Sequence, residues 1–550
     1  MTQQTVAQQI VSVLEERGVK YVFGIPGEEN IRLVDAIHDS PSIEFILVRH
    51  EQGASFMADV YGRLTGKPGV ATATLGPGAI NLLLGVADAQ SNSTPLIAIA
   101  AQGGLERIYK ESHQVIDLRA MFAPVTKWSE NIYEAQSAPE VIAKAYNEAI
   151  NGRPGATFVA LPETIESSAA VGETHIPAMP RPVSLPRQED IKAAADMLRS
   201  AKHPIVLAGM GIVRDGASEV MNKFMKATGL PVATTYMGKG AVDDRDPHAL
   251  GVVGFMAHDY ENFAFDQADV ILSVGYELSE FKPEKINPKG AVPVIHINTF
   301  SEDTDAHYPV KININADIAA SLQALQQELA TYQAPAFSAA ISDAITEELA
   351  YGAEESAAPL KPQQIVSATR EAVDENGIVL TDTGALKMWM ARLYKTYAPN
   401  TLLIDNGLST MSWTLPGAIG AKLAEPKKHI LAMMGDGSFM MNSQELETAH
   451  RYQIPLTAMV WVDQAYGLIK WKMDMGLGHH SEVDFGNPDF KQYVESFGGH
   501  AHMVTSRQDL VDSLKTTLAA DEGINVLFVP VDYSENMKLI DKLGKVTISL

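Results

Sequence analysis

The feature that most restricts the fold of this chain is a rhythm in which short apolar runs, each cut off by a turn, alternate with stretches carrying apolar residues at helical spacing. Residues 5 to 18 place Val6, Ile10, Val13 and Leu14 on one helical face, and YVFGIPG (21–27) then reads as a buried strand stopped by a turn. The alternation continues with FILVRHE (45–51) into EQGASFMADVYGRLTG (51–66), GVATATLGPG (69–78) into AINLLLGVADAQ (79–90), and PLIAIAAQ (95–102). The strand runs are apolar throughout rather than alternating, as expected of strands covered on both faces, so the rhythm predicts a parallel sheet with helices on either side.

The pattern occurs three times. A proline-rich stretch without periodicity, GETHIPAMPRPVSLPRQ (172–188), separates the first set from a second containing PIVLAGMGI, LPVATTYM, ADVILSVGYE and VPVIHINTF. That set fades into an Ala/Gln/Glu-rich stretch from about 320 to 360, which reads as a second linker. The third set holds GIVLTDTG, TLLIDNG, HILAMMGDG, LTAMVWVD and NVLFVPVD. The fold class predicted is therefore α/β, with three doubly wound parallel-sheet domains at 1–171, 189–330 and 360–550.

Composition excludes several functions. With 67 acidic against 43 basic residues, a net charge of -24 and no basic run, the chain is unsuited to a phosphate-backbone partner, and no nucleic acid is expected. There is no cysteine, so disulfides and thiolate metal ligands are unavailable. The N-terminal sequence lacks a signal-peptide pattern and no apolar segment approaches about 18 residues, so no membrane contact and a cytoplasmic location are expected.

Two acids stand out in the third set. Asp436 and Asp463 each end an apolar run, and in open parallel sheets ligands bind beyond the carboxyl ends of the strands. Gly435 and Gly437 flank Asp436 and permit close backbone approach, while SQELETAHRY (443–452) suggests a helix with Ser443 as its cap. Two carboxylates would repel a diphosphate unless a hard cation lay between them, and Mg²⁺ suits a shell of carboxylate and phosphate oxygens. On these residues alone a second reading stands equally: GDG as a strand-to-helix turn and VDQ as a polar strand end.

GDG (435–437) followed by VDQAYG (462–467) resembles the metal and diphosphate motif of the thiamine-diphosphate enzymes. The resemblance implies Mg²⁺ held by Asp436, Asp463 and the carbonyl of Ala465. The family's usual first Asn of the second pair is Val462 here, and the FAD-independent acetolactate synthases resemble this chain in carrying Asp at the second position. RHEQGASFMADVYGRLTGKPGV resembles the family's pyrimidine-binding segment and implies Glu51 as the catalytic acid that hydrogen-bonds the aminopyrimidine ring. NGLSTMSWTLPGAIGA (406–421) resembles the segment that bends the cofactor, with Met411 as apolar wedge and Ser409 as a backbone contact. LGPGAINLL (75–83) and TDTGALKMWMAR (381–392) resemble the loop beside the pyrimidine and the start of the diphosphate domain. In the latter, Ala385 and Leu386 replace the family's Ser-His.

The full cofactor-binding set implied is Pro26, Gly76, Asn81, Asp382, Gly384, Ser409, Met411, Gly435, Gly437, Ser438 and Tyr466. KESHQVIDLRAMFAPVTKWS (110–129) resembles an acetolactate synthase segment and implies Gln114, Phe122 and Lys127 around the reacting groups, with His50 and His113 as further proton-transfer candidates. The register puts Lys472, beside Trp471, on the acceptor side. VPVDYSENMKL (529–539) and VDFGN (483–487) resemble the catabolic branch. The reaction implied by the resemblance is decarboxylation of pyruvate on thiamine diphosphate and ligation of its two-carbon part to a second pyruvate. Pyruvate oxidase, sulfoacetaldehyde acetyltransferase and a non-catalytic homologue are the alternatives.

GMGIVRDG (209–216) lacks the third Gly of a dinucleotide loop, so FAD is expected to be absent. The partner expected is a small 2-keto acid, and the assembly a homodimer or homotetramer with active sites shared between protomers. Tyr276, Met256 and the pair at 479–480 carry no motif.

Overall fold

In the computed structural model the described residues are 4–172, 175–179, 183–254, 259–336 and 339–543; Met256 lies outside them. They contain three six-stranded sheets in which every strand pair is parallel. The first comprises β1 (Tyr21–Gly24), β2 (Glu44–Leu47), β3 (Gly69–Ala73), β4 (Leu96–Gln102), β5 (Trp128–Asn131) and β6 (Ala156–Pro162), in the order β2-β1-β3-β4-β6-β5. The second comprises β7 (Pro204–Ala208), β8 (Val232–Thr234), β9 (Ala249–Val252), β10 (Val270–Val274), β11 (Val294–Asn298) and β12 (Val310–Asn315), ordered β12-β11-β10-β7-β8-β9. The third comprises β13 (Ile378–Thr381), β14 (Leu402–Ile404), β15 (Ile430–Gly435), β16 (Leu456–Val462), β17 (His500–Met503) and β18 (Ile524–Pro530), ordered β14-β13-β15-β16-β18-β17.

The central strands explain the unbroken apolar runs. Every residue of β4, β6, β7 and β10 is buried, because parallel strands need long crossovers and the crossover helices cover both faces. Strand order reverses beside β1 in the first sheet and beside β13 in the third, and at such switch points loops after neighbouring strands diverge and leave a crevice.

The chain clusters into two compact units that do not follow the sequence order. One holds 1–182 with 412–427 and 442–455; the other holds 183–411, 428–441 and 456–550. In the first unit the helix Thr414–Ala424 packs on the helix Glu51–Thr65, where the indole of Trp413 donates to Asp59 Oδ2 at 2.9 Å and both groups are buried. In the second unit a single apolar core joins the second and third sheets, running from Tyr236 and Tyr276 to Trp389 and Trp461. A large fully buried side chain contributes about 1.5–3 kcal/mol, so this shared core fixes the two sheets to one another.

Two expectations do not hold. The stretch from about 320 to 360 is largely helical, with helices Ile318–Glu328 and Ala339–Gly352; its Ala, Leu, Gln and Glu are good helix formers, and their low complexity disguised the apolar stripe. Ser443 is not the N-cap residue of the helix Glu445–Arg451; Gln444 holds the position. The chain is already helical from Asp436 to Asn442, Ser443 lies in the two-residue turn between helices, and the next helix starts at Glu445 with no side-chain cap bond. Among the described residues, no helix is long and apolar enough to cross a membrane.

Candidate active site

In the first unit, the loops after β1, β2 and β3 meet at the carboxyl edge of the sheet. The loop after β2 delivers Glu51 as the first residue of a 15-residue helix. His50 is its N-cap, and its Nδ1 accepts from the Gln52 backbone N–H at 3.1 Å. Glu51 is 9% exposed, and its Oε2 accepts a hydrogen bond from Asn81 Nδ2 at 3.0 Å. Oε1 faces the backbone at Gly78, where a methyl group would come within 3.3 Å of it.

Asn81 is delivered by the helix Pro77–Ser91, whose N-cap Gly76 adopts φ +56°. A side chain at Gly76 would strain the backbone and strike the carbonyl of Gln114 at 2.8 Å. Gln114 is itself in the left-handed region, with φ +57° and its side chain exposed. Pro26 is exposed in the loop after β1, next to Gly27, which abuts Thr74. Pro26, Glu51, Gly76 and Asn81 thus come from loops and helix starts at the same sheet edge.

Two residues of that unit point elsewhere. Phe122 is buried in the core and stacks on Phe158, ring centroids 3.8 Å apart. Lys127 donates its ammonium to the carbonyls of Glu148 and Asn151 at 2.5 and 2.6 Å, satisfying the carboxyl end of the helix Ala138–Ile150. Its half-buried side chain lowers its pKa through desolvation first. The structure gives Lys127 a helix-capping role, which a sequence motif could not separate from a role beside the substrate. His113 is exposed.

A residue that sequence reasoning missed holds Glu51 in place. Glu445 accepts from the backbone N–H of Arg49 at 3.2 Å and of His50 at 3.0 Å, and from the Thr448 hydroxyl at 2.6 Å. Burial pushes its pKa from 4.5 up to about 7, against the opposing hydrogen bonds. Folded Glu445 therefore retains a proton that the unfolded chain sheds above about pH 4.5, and this contribution to stability is lost as pH rises to about 7. Glu445→Gln is uncharged at every pH, so between pH 4.5 and 7 its stability relative to the parent should shift in its favour by about 3 kcal/mol. Urea unfolding of both proteins at pH 5 and pH 7.5 checks this; a gap that does not change with pH contradicts it.

The second unit brings nearly all the remaining candidates together. Gly384, Met411, Gly435, Asp436, Gly437, Ser438, Asp463, Ala465 and Tyr466 all line one small cavity at the carboxyl ends of β13, β15 and β16. Asp382 is fully buried just behind it and accepts from the Ser438 hydroxyl at 2.9 Å. Ser409, with φ +61°, lines the adjoining cleft. Lys387 Nζ donates to the Asp405 carbonyl at 3.1 Å, Asn406 Oδ1 at 3.1 Å and Ser409 Oγ at 3.0 Å, and so fixes the loop from 405 to 409.

Asp436 Oδ1 accepts from Gly437 N–H at 2.9 Å, and Oδ2 accepts from Gln464 N–H and Asn487 Nδ2, both at 2.8 Å. Burial raises the Asp436 pKa. Burial, and then the neighbouring Asp436, push Asp463 up to about 7. Gly467 is required beside it, since a methyl group there would meet Asp463 Oδ2 at 2.6 Å. The segment 464–466 is braced by 483–485 through Tyr466 N–H to Val483 O and Phe485 N–H to Gln464 O, both at 2.9 Å.

These residues fit a divalent cation with a diphosphate. A buried carboxylate, Asp436, and a partly buried one, Asp463, repel one another and gain from a cation between them. Among the described residues no group of three or more His, Cys, Asp or Glu could hold a metal alone, which suits an ion completed by a ligand's oxygens. Asn487 supplies a further sign: its Oδ1 is buried with no hydrogen-bond partner while its Nδ2 holds Asp436. VDFGN contains this residue, but only the folded segment shows that it faces the acids.

Comparison with known proteins agrees with this geometry. Residues 4–121, 191–325 and 382–529 match, respectively, the N-terminal TPP binding domain, the central domain and the C-terminal TPP binding domain of thiamine pyrophosphate enzymes. An acetolactate synthase of Bacillus subtilis is 35% identical over 98% of this chain and 95% of its own length. A catabolic acetolactate synthase of Raoultella terrigena is 34% identical over 98% of this chain and 97% of its own. The large subunit of acetolactate synthase isozyme 2 of Escherichia coli is 33% identical, over 96% of each.

Proposed function

The chain belongs to the thiamine pyrophosphate enzymes, and from that premise we propose that it is an acetolactate synthase, joining the two-carbon part of one pyruvate to a second pyruvate with loss of CO₂. The observation that carries this reading is the Asp436–Asp463 pair, with Ala465 and Met411 on the same cavity wall, in a chain similar to acetolactate synthases over nearly its whole length.

Asp436, Asp463 and the Ala465 carbonyl would hold Mg²⁺, with Asn487 Oδ1 at hand. Gly384, Gly435, Gly437, Ser438 and Asp382 would shape the diphosphate cradle. Thiamine diphosphate, when bound, supplies the electron sink that the amino acids lack. Met411 and Ser409 would set the shape of the space the cofactor fills, and Tyr466 and Leu468 would exclude water from it. Glu51 is the proton-exchanging group, presenting Oε1 while Asn81 occupies Oε2. Gln114 abuts Gly76, in the loop whose Gly78 faces Glu51 Oε1, and Pro26 borders the same loops.

Incubation with pyruvate, thiamine diphosphate and Mg²⁺ should give acetolactate, detected as acetoin after acid decarboxylation. Pyruvate consumed with peroxide or acetyl phosphate as product would replace this reading with an oxidase.

Two finer points belong to the same reading. The protein works without FAD. Supporting this, the fully buried carboxylate of Glu280 accepts from Met210 N–H at 3.2 Å at the start of the central domain's glycine loop, and Gly209 and Gly211 are packed against the backbone at Gly275. A purified protein with a flavin absorption band would contradict it.

The assembly is a homodimer or homotetramer in which Glu51 of one protomer serves the cofactor held by Asp436 and Asp463 of another. Mixing Glu51→Gln and Asp436→Ala protomers, each inactive alone, should then restore roughly a quarter of parental activity, since half the dimers are mixed and each mixed dimer has one intact site. No recovery after subunit exchange, with exchange verified by mass spectrometry, would show that each protomer completes its own site.

A further inference from the structure

Beside the clamp lies a larger cleft of about 800 Å³, which shares Thr383 and Leu468 with the small cavity of Asp436 and Asp463. It is formed within the second unit, between the segment after β10 and the helix Gly467–Leu477. Phe281, Leu468, Trp471 and Met475 make much of its wall apolar. Lys282, Lys285 and Lys472 are set into the same wall.

In a chain with 67 acids and 43 bases, these three lysines, with Lys387 also lining the cleft, form a local reversal of charge. They act on one another: burial lowers the pKa of Lys285, and the charges of Lys472 and Lys282 lower it further. Lys285 is anchored by donation to the Gly254 carbonyl at 2.5 Å. Lys282 and Lys472 are exposed, and among the described residues neither forms an ion pair with a carboxylate. The acid that lines the cleft, Glu280, is turned onto Met210 N–H and Glu277 N–H, and burial raises its pKa to about 8. It does not neutralise the lysines.

Like charges held together at the mouth of an apolar cleft favour a ligand whose anionic group reaches them, and they raise its local concentration. We propose that Lys282, Lys285 and Lys472 form a subsite for a second negative charge, so that beside pyruvate this cleft takes as acceptor a 2-keto acid with a further carboxylate at its far end. This rests on the carboligase reading above and adds the class of acceptor to it. In the reaction, pyruvate loses its carboxyl group as CO₂, a bond forms between its keto carbon and that of the acceptor, and the acceptor's keto oxygen takes one proton. No oxidant or reductant is needed.

The test uses holoenzyme with saturating pyruvate and either 2-oxoglutarate or 2-ketobutyrate as acceptor, with mixed products measured by mass spectrometry. Expected is a kcat/KM for 2-oxoglutarate about tenfold above that for 2-ketobutyrate at low ionic strength, shrinking as salt rises. Lys282→Gln and Lys472→Gln should each reduce that ratio several-fold, and Lys472→Arg should preserve it. Because misfolding lowers both acceptors alike, the ratio reports the subsite. Equal ratios in parent and variants overturn the proposal, as does a parent that ligates pyruvate to itself but neither ligates 2-oxoglutarate nor is inhibited by it. A parent that does not ligate pyruvate to itself overturns the carboligase reading instead.

Discussion

Glu51→Gln is expected to lower kcat by about 10²–10⁴-fold while cofactor and metal still bind. Gln has the shape of Glu, and its amide oxygen can keep the hydrogen bond from Asn81 that now runs to Oε2 at 3.0 Å. The helix Glu51–Thr65 keeps its His50 cap, and Glu445 continues to hold the N–H groups of Arg49 and His50. The substitution removes only a carboxyl group able to exchange a proton through the oxygen that its supporting bond leaves free. Calorimetric titration of thiamine diphosphate with Mg²⁺ should therefore change little, while turnover and hydrogen exchange at C2 of the bound cofactor fall together. Exchange as fast as in the parent would remove Glu51 from the chemistry.

Arg392→Ala is expected to destabilise the second unit by about 3–5 kcal/mol. Arg392 lies near the end of the helix that starts just after Gly384, and it is 8% exposed. It reaches Asp259 through Nε at 2.6 Å and Nη2 at 3.0 Å, and Glu348 through Nη1 at 3.3 Å and Nη2 at 3.2 Å. Both acids are buried, Asp259 at the start of the helix Tyr260–Gln267 and Glu348 in the helix Ala339–Gly352. Truncating the arginine leaves two uncompensated carboxylates with Glu261 close by, itself pushed well above its ordinary pKa by burial and then by Asp259. Urea unfolding measures it, and a loss below about 1 kcal/mol would mean that the triad contributes little beyond its packing.

The strand content and the chemical types at the site were legible in the sequence because they depend on local rules. Fully apolar runs ended by Gly and Asp report buried parallel strands, and acids placed where such runs end must lie at the carboxyl edge of a sheet. Asp436 and Asp463, with Gly435 and Gly437, were readable this way, whereas Ser438 and Ala465 were implied only by the family resemblance; all six share one cavity. Glu51 was readable as the first residue of a helix after a strand.

The groups that support them were not. Glu445 lies 394 positions beyond Glu51, and its contacts depend on residues 412–427 and 442–455 packing with the first unit rather than with their sequence neighbours. The same holds for Lys127, whose ammonium found helix carbonyls that no motif reveals, and for the stretch from 320 to 360, whose helices carry an acid needed by Arg392.

The sequence by itself determined three parallel α/β sheets and the acids at their edges, since periodicity and turn chemistry act over a few residues. Only the tertiary structure decided which distant backbone amides those acids accept from, which lysines share a cleft, and how the chain divides into units, because burial and hydrogen-bond satisfaction are settled by what packs alongside.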